Sequence, residues 1–170
     1  MLQLIIRIYR AISRRLLILL WKNRFRHLGR DCFIGPYNVF ELPETISFGD
    51  RVQTAAFVHI WGGAEVQIGD DTLIAARVCI SSLSHDVNAL GKQTTYRGTL
   101  TKNPVRIGRN CWLGTGAIIL DGVTIGDNVI VAAGSVVRSD VPSDCVVAGI
   151  PARIVRNLLA VQQNQMIVNA

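Results

Sequence analysis

Three histidines and four cysteines are the side chains of this 170-residue chain best suited to proton transfer, metal ligation or nucleophilic attack. The cysteines, Cys32, Cys79, Cys111 and Cys145, form no C-x-x-C pair, and no histidine stands at zinc-finger spacing from them. No metal is therefore expected, and the thiols read as reduced, small, mostly buried fillers of a cytoplasmic protein. Among His27, His59 and His85, position singles out the last. It ends the segment SSLSH and stands at the root of a polar stretch, residues 86–106 (DVNALGKQTTYRGTLTKNPVR), inside an otherwise periodic sequence. Polar loops of about twenty residues within a compact domain are commonly functional. An imidazole that titrates near neutrality is suited to take the proton of an attacking hydroxyl.

What must hold such a group is legible as a repeat. From Ile107 the chain reads IGRNCW, LGTGAI, ILDGVT, IGDNVI and VAAGSV, each unit opening on an aliphatic residue. The period is kept less strictly in LGRDCF and IGPYNV from Leu28, FGDRVQ and TAAFVH from Phe48, and IGDDTL and IAARVC from Ile68. Position one is large and apolar (Ile107, Leu113, Ile119, Ile125, Val131). Position five is small or medium (Cys111, Ala117, Val123, Val129, Ser135), so both point inward and stacked units interdigitate. Position four is Asn110, Gly116, Gly122, Asn128 and Gly134, residue types that tolerate a left-handed backbone, so every unit ends in a tight corner. Short straight segments joined by such corners wind into a coil, three units per turn, with parallel strands on three flat faces. With few aromatics, the core is expected to be narrow layers of Val, Ile, Leu and Ala rather than an aromatic cluster.

On these residues the chain resembles the hexapeptide-repeat transferases, whose fold is the all-β, left-handed parallel β-helix. The stretch IGRNCWLGTGAIILDGVTIGDNVIVAAGSVVRSDVPSDCVVAGIPARIVR is similar to the end of the maltose, galactoside and polysaccharide O-acetyltransferase group in particular. The implied organisation is a basic amphipathic helix over residues 1–27, a β-helix domain over 28–153 with a protruding loop 86–106, and a short helical tail over 154–170.

The resemblance implies acetyl transfer from acetyl-CoA to a sugar hydroxyl, with SSLSHD matching the catalytic-histidine segment and His85 as general base. Acetyl-CoA would be the co-substrate, and no metal would be required. Its arm would run beside Trp112, Thr115 and Gly116 on one turn and Ala133 and Gly134 on the next, with Arg138, Arg153 and Arg156 near its phosphates. The same glycines and alanines also suit β-helix geometry alone. In the group the acetyl-CoA site lies between subunits of a trimer, so a homotrimer is implied. In the sugar acetyltransferases an Asn on the preceding coil helps hold the acceptor. The matching stretch here, TAAFVHIWGG with Ala55 at that point, has none. His59, Trp61, Asp86, Asn88 and Tyr96 are available instead, and the HIWGG stretch resembles polysaccharide-biosynthesis members, which favours a glycan or glycolipid precursor. A xenobiotic O-acetyltransferase and a non-catalytic β-helix scaffold are the alternatives. A carbonic anhydrase of the same fold is disfavoured, since its pair of histidines five positions apart is missing.

Charge is concentrated at one end. Residues 1–30 carry eight Lys or Arg and no acid, whereas the rest has ten bases against twelve acids. A nucleic-acid-binding surface across the domain is thereby disfavoured. Leu2, Ile5, Tyr9, Ile12, Leu16 and Leu19 recur at helical spacing with Arg7, Arg10 and Arg14 opposite, and the apolar run 16–21 is too short to span a bilayer. Two readings of this helix stand: a cap on the open end of the domain or a contact with a neighbouring subunit, and an interfacial helix in which residues 1–26 rest on anionic lipid with Trp21 at the boundary.

Overall fold

The computed structural model describes residues 17–85 and 100–159. Of the nineteen short strands among the described residues, sixteen make three parallel faces wound around one apolar axis. The first face stacks His27–Leu28, Ile46–Phe48, Val66–Ile68, Val105–Ile107 and Thr124–Ile125. The second stacks Phe33–Ile34, Gln53–Thr54, Leu73–Ile74, Trp112–Leu113, Ile130–Val131 and Cys145–Gly149, and the third Val39–Glu41, His59–Trp61, Cys79–Ser81, Ile118–Ile119 and Val136–Val137. Coils one to five therefore begin at His27, Ile46, Val66, Val105 and Thr124. Each aliphatic residue expected at position one, from Ile34 to Val131, is buried, while Leu28 at the open end of the coil is half-buried; position five (Cys111, Ala117, Val123, Val129, Ser135) is buried beside them. Fully burying one such Ile or Leu is worth about 1.5–3 kcal/mol over leaving it exposed, so the axis carries the stability of the fold.

The corners obey the position-four rule beyond its expected residue types. Asn110, Gly116, Gly122, Asn128 and Gly134 all have positive φ, and so do Asp31, Tyr37, Arg51, Phe57, Asp71 and Arg77 at the same place in the earlier units. Position two is constrained in another way: a Cβ on Gly29 would meet the backbone of Gly49 on the next coil.

Register explains why the period is looser before Ile107. Neighbouring strands step by 20 residues in the early coils (His27 against Ser47, Ile46 against Val66) and by 18 in the later ones (Arg106 against Thr124, Ile118 against Val136). The two extra residues fall at the corner between the third and first faces. There coil one carries Leu42 and the 3-10 turn Pro43–Thr45, and coil two carries residues 62–65. In coil three the same corner releases an arm, and Val66 pairs with Val105 directly across it.

The arm leaves and returns as an antiparallel pair, Leu83–His85 with Leu100–Lys102. Its return is earlier than the expected end of the loop at residue 106. Val105 is already buried and hydrogen-bonded into the first face, because the inward alternation resumes at Val105 and not at Ile107. The tail also differs from the helical expectation at its start. Ala152–Asn157 folds back as a strand antiparallel to Cys145–Gly149, and helical residues begin only at 158–159, the rest lying outside the described residues.

At the other end of the coil, the helix seen over residues 17–21 leads into Trp21 and Phe25. Trp21 stacks on Phe25 (centroids 5.4 Å apart), and both meet Phe40 edge to face, while Phe25 meets Phe48 in the same way at 4.9 Å. This aromatic plug is the exception to the layered aliphatic core. The first coil has no coil below it, and wide rings cover the open end that narrow aliphatic side chains would leave wet. Residues 1–16, and with them most of the expected amphipathic helix, lie outside the described residues. Among the described residues no helix is long and apolar enough to cross a membrane.

Candidate active site

His85 is an exposed residue at the outgoing root of the arm, paired with Leu100 across the antiparallel stem. The root is pinned to the coil by polar contacts. The buried Ser82 hydroxyl accepts the Ala64 N–H at 2.9 Å and donates to the Trp61 carbonyl at 3.0 Å. The Ser82 carbonyl accepts the Asn103 N–H (3.2 Å), and the Asn103 side chain donates to Asp121 on coil four at 2.7 Å. His85 is thus presented by a fixed stem, three residues beyond the last buried residue of its coil. Asp86, Asn88 and Tyr96, the arm residues expected on the acceptor side, lie outside the described residues.

His59 and Trp61 stand on the outward side of the third face in coil two, on the strand next to Cys79–Ser81, from which the arm departs. Their rings are nearly parallel, 17° apart with centroids at 5.8 Å. His59 Nε2 is buried and has no hydrogen-bond partner among the described residues. A buried ring nitrogen without a partner is costly in a finished core, so this pair is a candidate for contact with a ligand rather than a packed turn alone.

The expected cofactor residues fall into two groups. Trp112 is exposed on the second face in coil four; Thr115 and Gly116 form the next corner, and Ala133 and Gly134 the same corner of coil five. The Gly134 N–H bonds to the Thr115 carbonyl (2.9 Å), which fixes the two corners in one column. A Cβ on Gly116 or Gly134 would meet nothing within 4 Å. Their φ values of 69° and 68° favour glycine, and the surface they leave is bare backbone into which a narrow chain could settle. Arg153 and Arg156 stand on the closing strand above this surface, Arg156 against Val146 and Arg153 against Ala148. Arg138 does not join them. It follows Val136–Val137 at the far edge of the third face, the edge from which the arm leaves, two coils from His85.

The four thiols take no part in this surface. All are free; Cys32, Cys111 and Cys145 are buried, and burial pushes every one of them above the ordinary thiol value, the opposite of what a nucleophile needs. Among the described residues no group of His, Cys, Asp and Glu is placed to hold a metal ion.

One cavity, of about 620 Å³, opens on the second face, with Leu73, Trp112 and Ile130 on its floor and Leu158 and Leu159 at its rim. It shares Trp112 with the expected cofactor track but lies on the opposite side of that residue from the glycine corners.

Residues 104–139 match the family described as bacterial transferase hexapeptide (six repeats). The chain is 34% identical to galactoside O-acetyltransferase of Escherichia coli K12 over 81% of its own length and 66% of that protein's. It is 39% identical, over 65% of its length and 60% of the relative's, to WbbJ of the same organism, whose provisional name assigns it O-acetyl transfer in lipopolysaccharide biosynthesis. Among solved structures it is similar to the hexapeptide-repeat acetyltransferase VCA0836 of Vibrio cholerae, complexed with acetyl-CoA. That likeness has 35% identity and a TM-score of 0.78, and covers 82% of this chain and 75% of the other. The left-handed parallel β-helix, its single arm and these likenesses agree: the chain belongs to the hexapeptide-repeat acetyltransferase family.

Proposed function

We propose that this chain transfers the acetyl group of acetyl-CoA directly to a hydroxyl of a sugar in a polysaccharide or glycolipid precursor, with His85 as general base. The observation that carries the reading is the exposure of His85 on a pinned stem at the level of coil three. The bare glycine corners and the two closing arginines occupy coils four and five and the strand beyond them. A cofactor lying along those later coils would bring its thioester end to the level of His85.

The step needs one proton relay. The acceptor oxygen attacks the thioester carbonyl while its proton passes to the imidazole of His85; the carbon–sulfur bond then breaks, and the imidazolium returns the proton to the departing thiolate, leaving an acetyl ester and free CoA. Trp112, Thr115, Gly116, Ala133 and Gly134 would hold the pantetheine arm, and Arg153 and Arg156 the phosphates. His59 and Trp61 would face the acceptor. The relatives named for galactosides and for lipopolysaccharide support a sugar acceptor.

His85 and the glycine corners stand at opposite edges of the third face. Strands of three residues make that face about 10 Å wide, too far for one imidazole to serve a thioester held on its own chain. We therefore read the site as shared between copies, His85 of one chain serving the cofactor of the next in a homotrimer, with Arg138 on the His85 side of the shared site. For the amino-terminal segment, the exposed Leu19 and Leu20 beside an arginine-rich stretch favour peripheral contact with the inner face of a membrane, while Trp21 and Phe25 close the coil.

The test is acetyl-CoA turnover against a panel of nucleotide sugars, lipid-linked glycans and free saccharides. Acetyl transfer to at least one, abolished in His85→Ala with acetyl-CoA binding kept, supports the reading. Acetyl-CoA binding without transfer to any of them favours the scaffold reading.

A further inference from the structure

The corner column that ends in Gly116 and Gly134 has a second half. Corner hydrogen bonds run without a break through five coils: Phe57 N–H to the Pro36 carbonyl (3.2 Å), Arg77 N–H to Ala56 (3.2 Å), Gly116 N–H to Ala76 (3.0 Å) and Gly134 N–H to Thr115 (2.9 Å). Tyr37, Phe57, Arg77, Gly116 and Gly134 are therefore the successive left-handed residues of one column. Its composition changes abruptly at coil three. Above it the column is bare; from it downward the side chains are large, exposed and stacked. The Tyr37 and Phe57 rings lie 17° apart with centroids at 5.1 Å and are 74% and 52% exposed, and the Arg77 guanidinium sits 5.7 Å from the centre of the Phe57 ring.

We propose that Tyr37, Phe57 and Arg77 form an extended acceptor subsite for an acidic saccharide, a uronic acid or a sugar phosphate. The proposal rests on the acetyl-transfer reading above. If the cofactor fills the column from Gly116 toward the closing strand and His85 marks the level of reaction in coil three, the acceptor has only coils three to one along which to extend. On this column those coils present an exposed stacked aromatic pair and a cation. The apolar CH face of a pyranose packs against exposed aromatic surface of this kind. Arg77 has no carboxylate partner among the described ion pairs, so its guanidinium fork is available to a carboxylate or phosphate. A neutral glycan would use the rings and leave that cation without a counterpart.

The experiment uses the full chain and two probes, tetragalacturonic acid and neutral maltotetraose, with affinity read by ligand-observed NMR titration and acetyl-CoA affinity measured in parallel. The variants are Phe57→Asn and Tyr37→Asn, in which asparagine keeps the left-handed corner, and Arg77→Gln. Wild-type protein should favour the acidic probe. Phe57→Asn should weaken its binding about tenfold, since it removes one ring of the stacked pair and the surface against which Arg77 is held. Arg77→Gln should abolish the preference between probes, and acetyl-CoA affinity should be unchanged throughout. Equal affinity of Phe57→Asn and wild type for the acidic probe overturns the subsite, as does wild-type binding of acetyl-CoA but of neither saccharide. A fall in oligomeric mass in Phe57→Asn or Tyr37→Asn also overturns it, assigning the column to a contact between copies. Failure of wild-type protein to bind acetyl-CoA would instead remove the acetyl-transfer reading on which the proposal stands.

Discussion

Asn38 reaches across to Thr54 on the neighbouring coil, its amide donating to the threonine hydroxyl at 2.8 Å, in a place where coils three and four carry only aliphatic side chains (Ile74 and Val78, Leu113 and Ala117). The pair is satisfied on both sides: Thr54 Oγ1 also accepts the Gly35 N–H at 3.1 Å, and Asn38 Oδ1 accepts the Val58 N–H at 2.9 Å. Replacing Asn38 by Leu leaves the Val58 N–H and the Thr54 hydroxyl without this partner. The expected cost is about 2–6 kcal/mol, one to three for each deserted group. Denaturant unfolding of Asn38→Leu checks it, and Asn38→Leu combined with Thr54→Val should recover part of the loss.

Phe25 closes the first coil from within the aromatic plug, touching Trp21, Phe40 and Phe48. Phe25→Ala removes a buried ring where no further coil can settle into the gap, and should cost about 3–5 kcal/mol. The strict coils from Ile107 onward do not touch it. Hydrogen exchange should therefore show protection lost first in coils one and two, and uniform loss across all five coils would contradict that local account.

Much of this architecture is written in short-range chemistry. The inward column Ile107, Leu113, Ile119, Ile125, Val131 and the corner column Asn110, Gly116, Gly122, Asn128, Gly134 were legible because each residue type does one physical job. What escaped reading were corners that break the rule by type but keep it by conformation. Tyr37, Phe57 and Arg77 adopt positive φ despite large side chains, because the coil imposes the corner and lateral stacking partly offsets the strain. The end of the arm was misplaced by two residues, since Val105 alternates inward like a strand but precedes the first complete six-residue unit. The edge occupied by Arg138 is a matter of which face a residue leaves from, and a count of arginines near the end of a repeat does not carry that information.

Acid should loosen one corner of the coil. Hydrogen bonds from the Arg30 side chain and backbone hold Asp50 below the usual carboxylate range; the Arg51 side chain does so for Asp71, and the Arg109 backbone and side chain for Asp127. A carboxylate with a depressed folded-state pKa contributes stability that is present above its unfolded value and lost as pH falls through the folded one. Stability should therefore be level at neutral pH and decline below about pH 4. Asp127→Asn should flatten part of that decline in a thermal-unfolding series between pH 7 and 2. Because Asp71 is exposed and Asp50 and Asp127 are only half-buried, added salt should shrink the effect. An unchanged acid limb in Asp127→Asn would show that other carboxylates govern it.

Gly134 separates β-helix geometry from cofactor contact. Its φ of 68° suits asparagine as well, and a Cβ there would meet no protein atom within 4 Å. Gly134→Asn should fold normally, with an unfolding midpoint close to wild type, yet place an amide on the surface assigned to the pantetheine arm. The expected outcome is a KM for acetyl-CoA raised about tenfold or more, the loss of roughly 1.4 kcal/mol of binding, with the acceptor KM little changed. If acetyl-CoA binds Gly134→Asn as it binds wild type, the corner is glycine for backbone reasons alone and the cofactor lies elsewhere.

His85 offers the sharpest separation of chemistry from scaffold. Its side chain is exposed, and the stem that presents it is fixed by Ser82 and Asn103, so His85→Ala should unfold close to the wild-type midpoint. Removing a general base lowers turnover by about 10²–10⁴-fold, and here acetyl-CoA affinity should be unaffected because the glycine corners and the closing arginines are untouched. Mixing His85→Ala with Gly134→Asn protein extends the test to the shared site. In a mixed oligomer, some interfaces would pair an intact His85 from one chain with an intact glycine corner from its neighbour, and activity should rise above that of either variant alone. If, at acetyl-CoA well below the raised KM of Gly134→Asn, the mixture after subunit exchange is no more active than the mean of the two variants, His85 and the cofactor surface must serve one another within a single chain, and the width of the third face would have to be bridged by the arm itself.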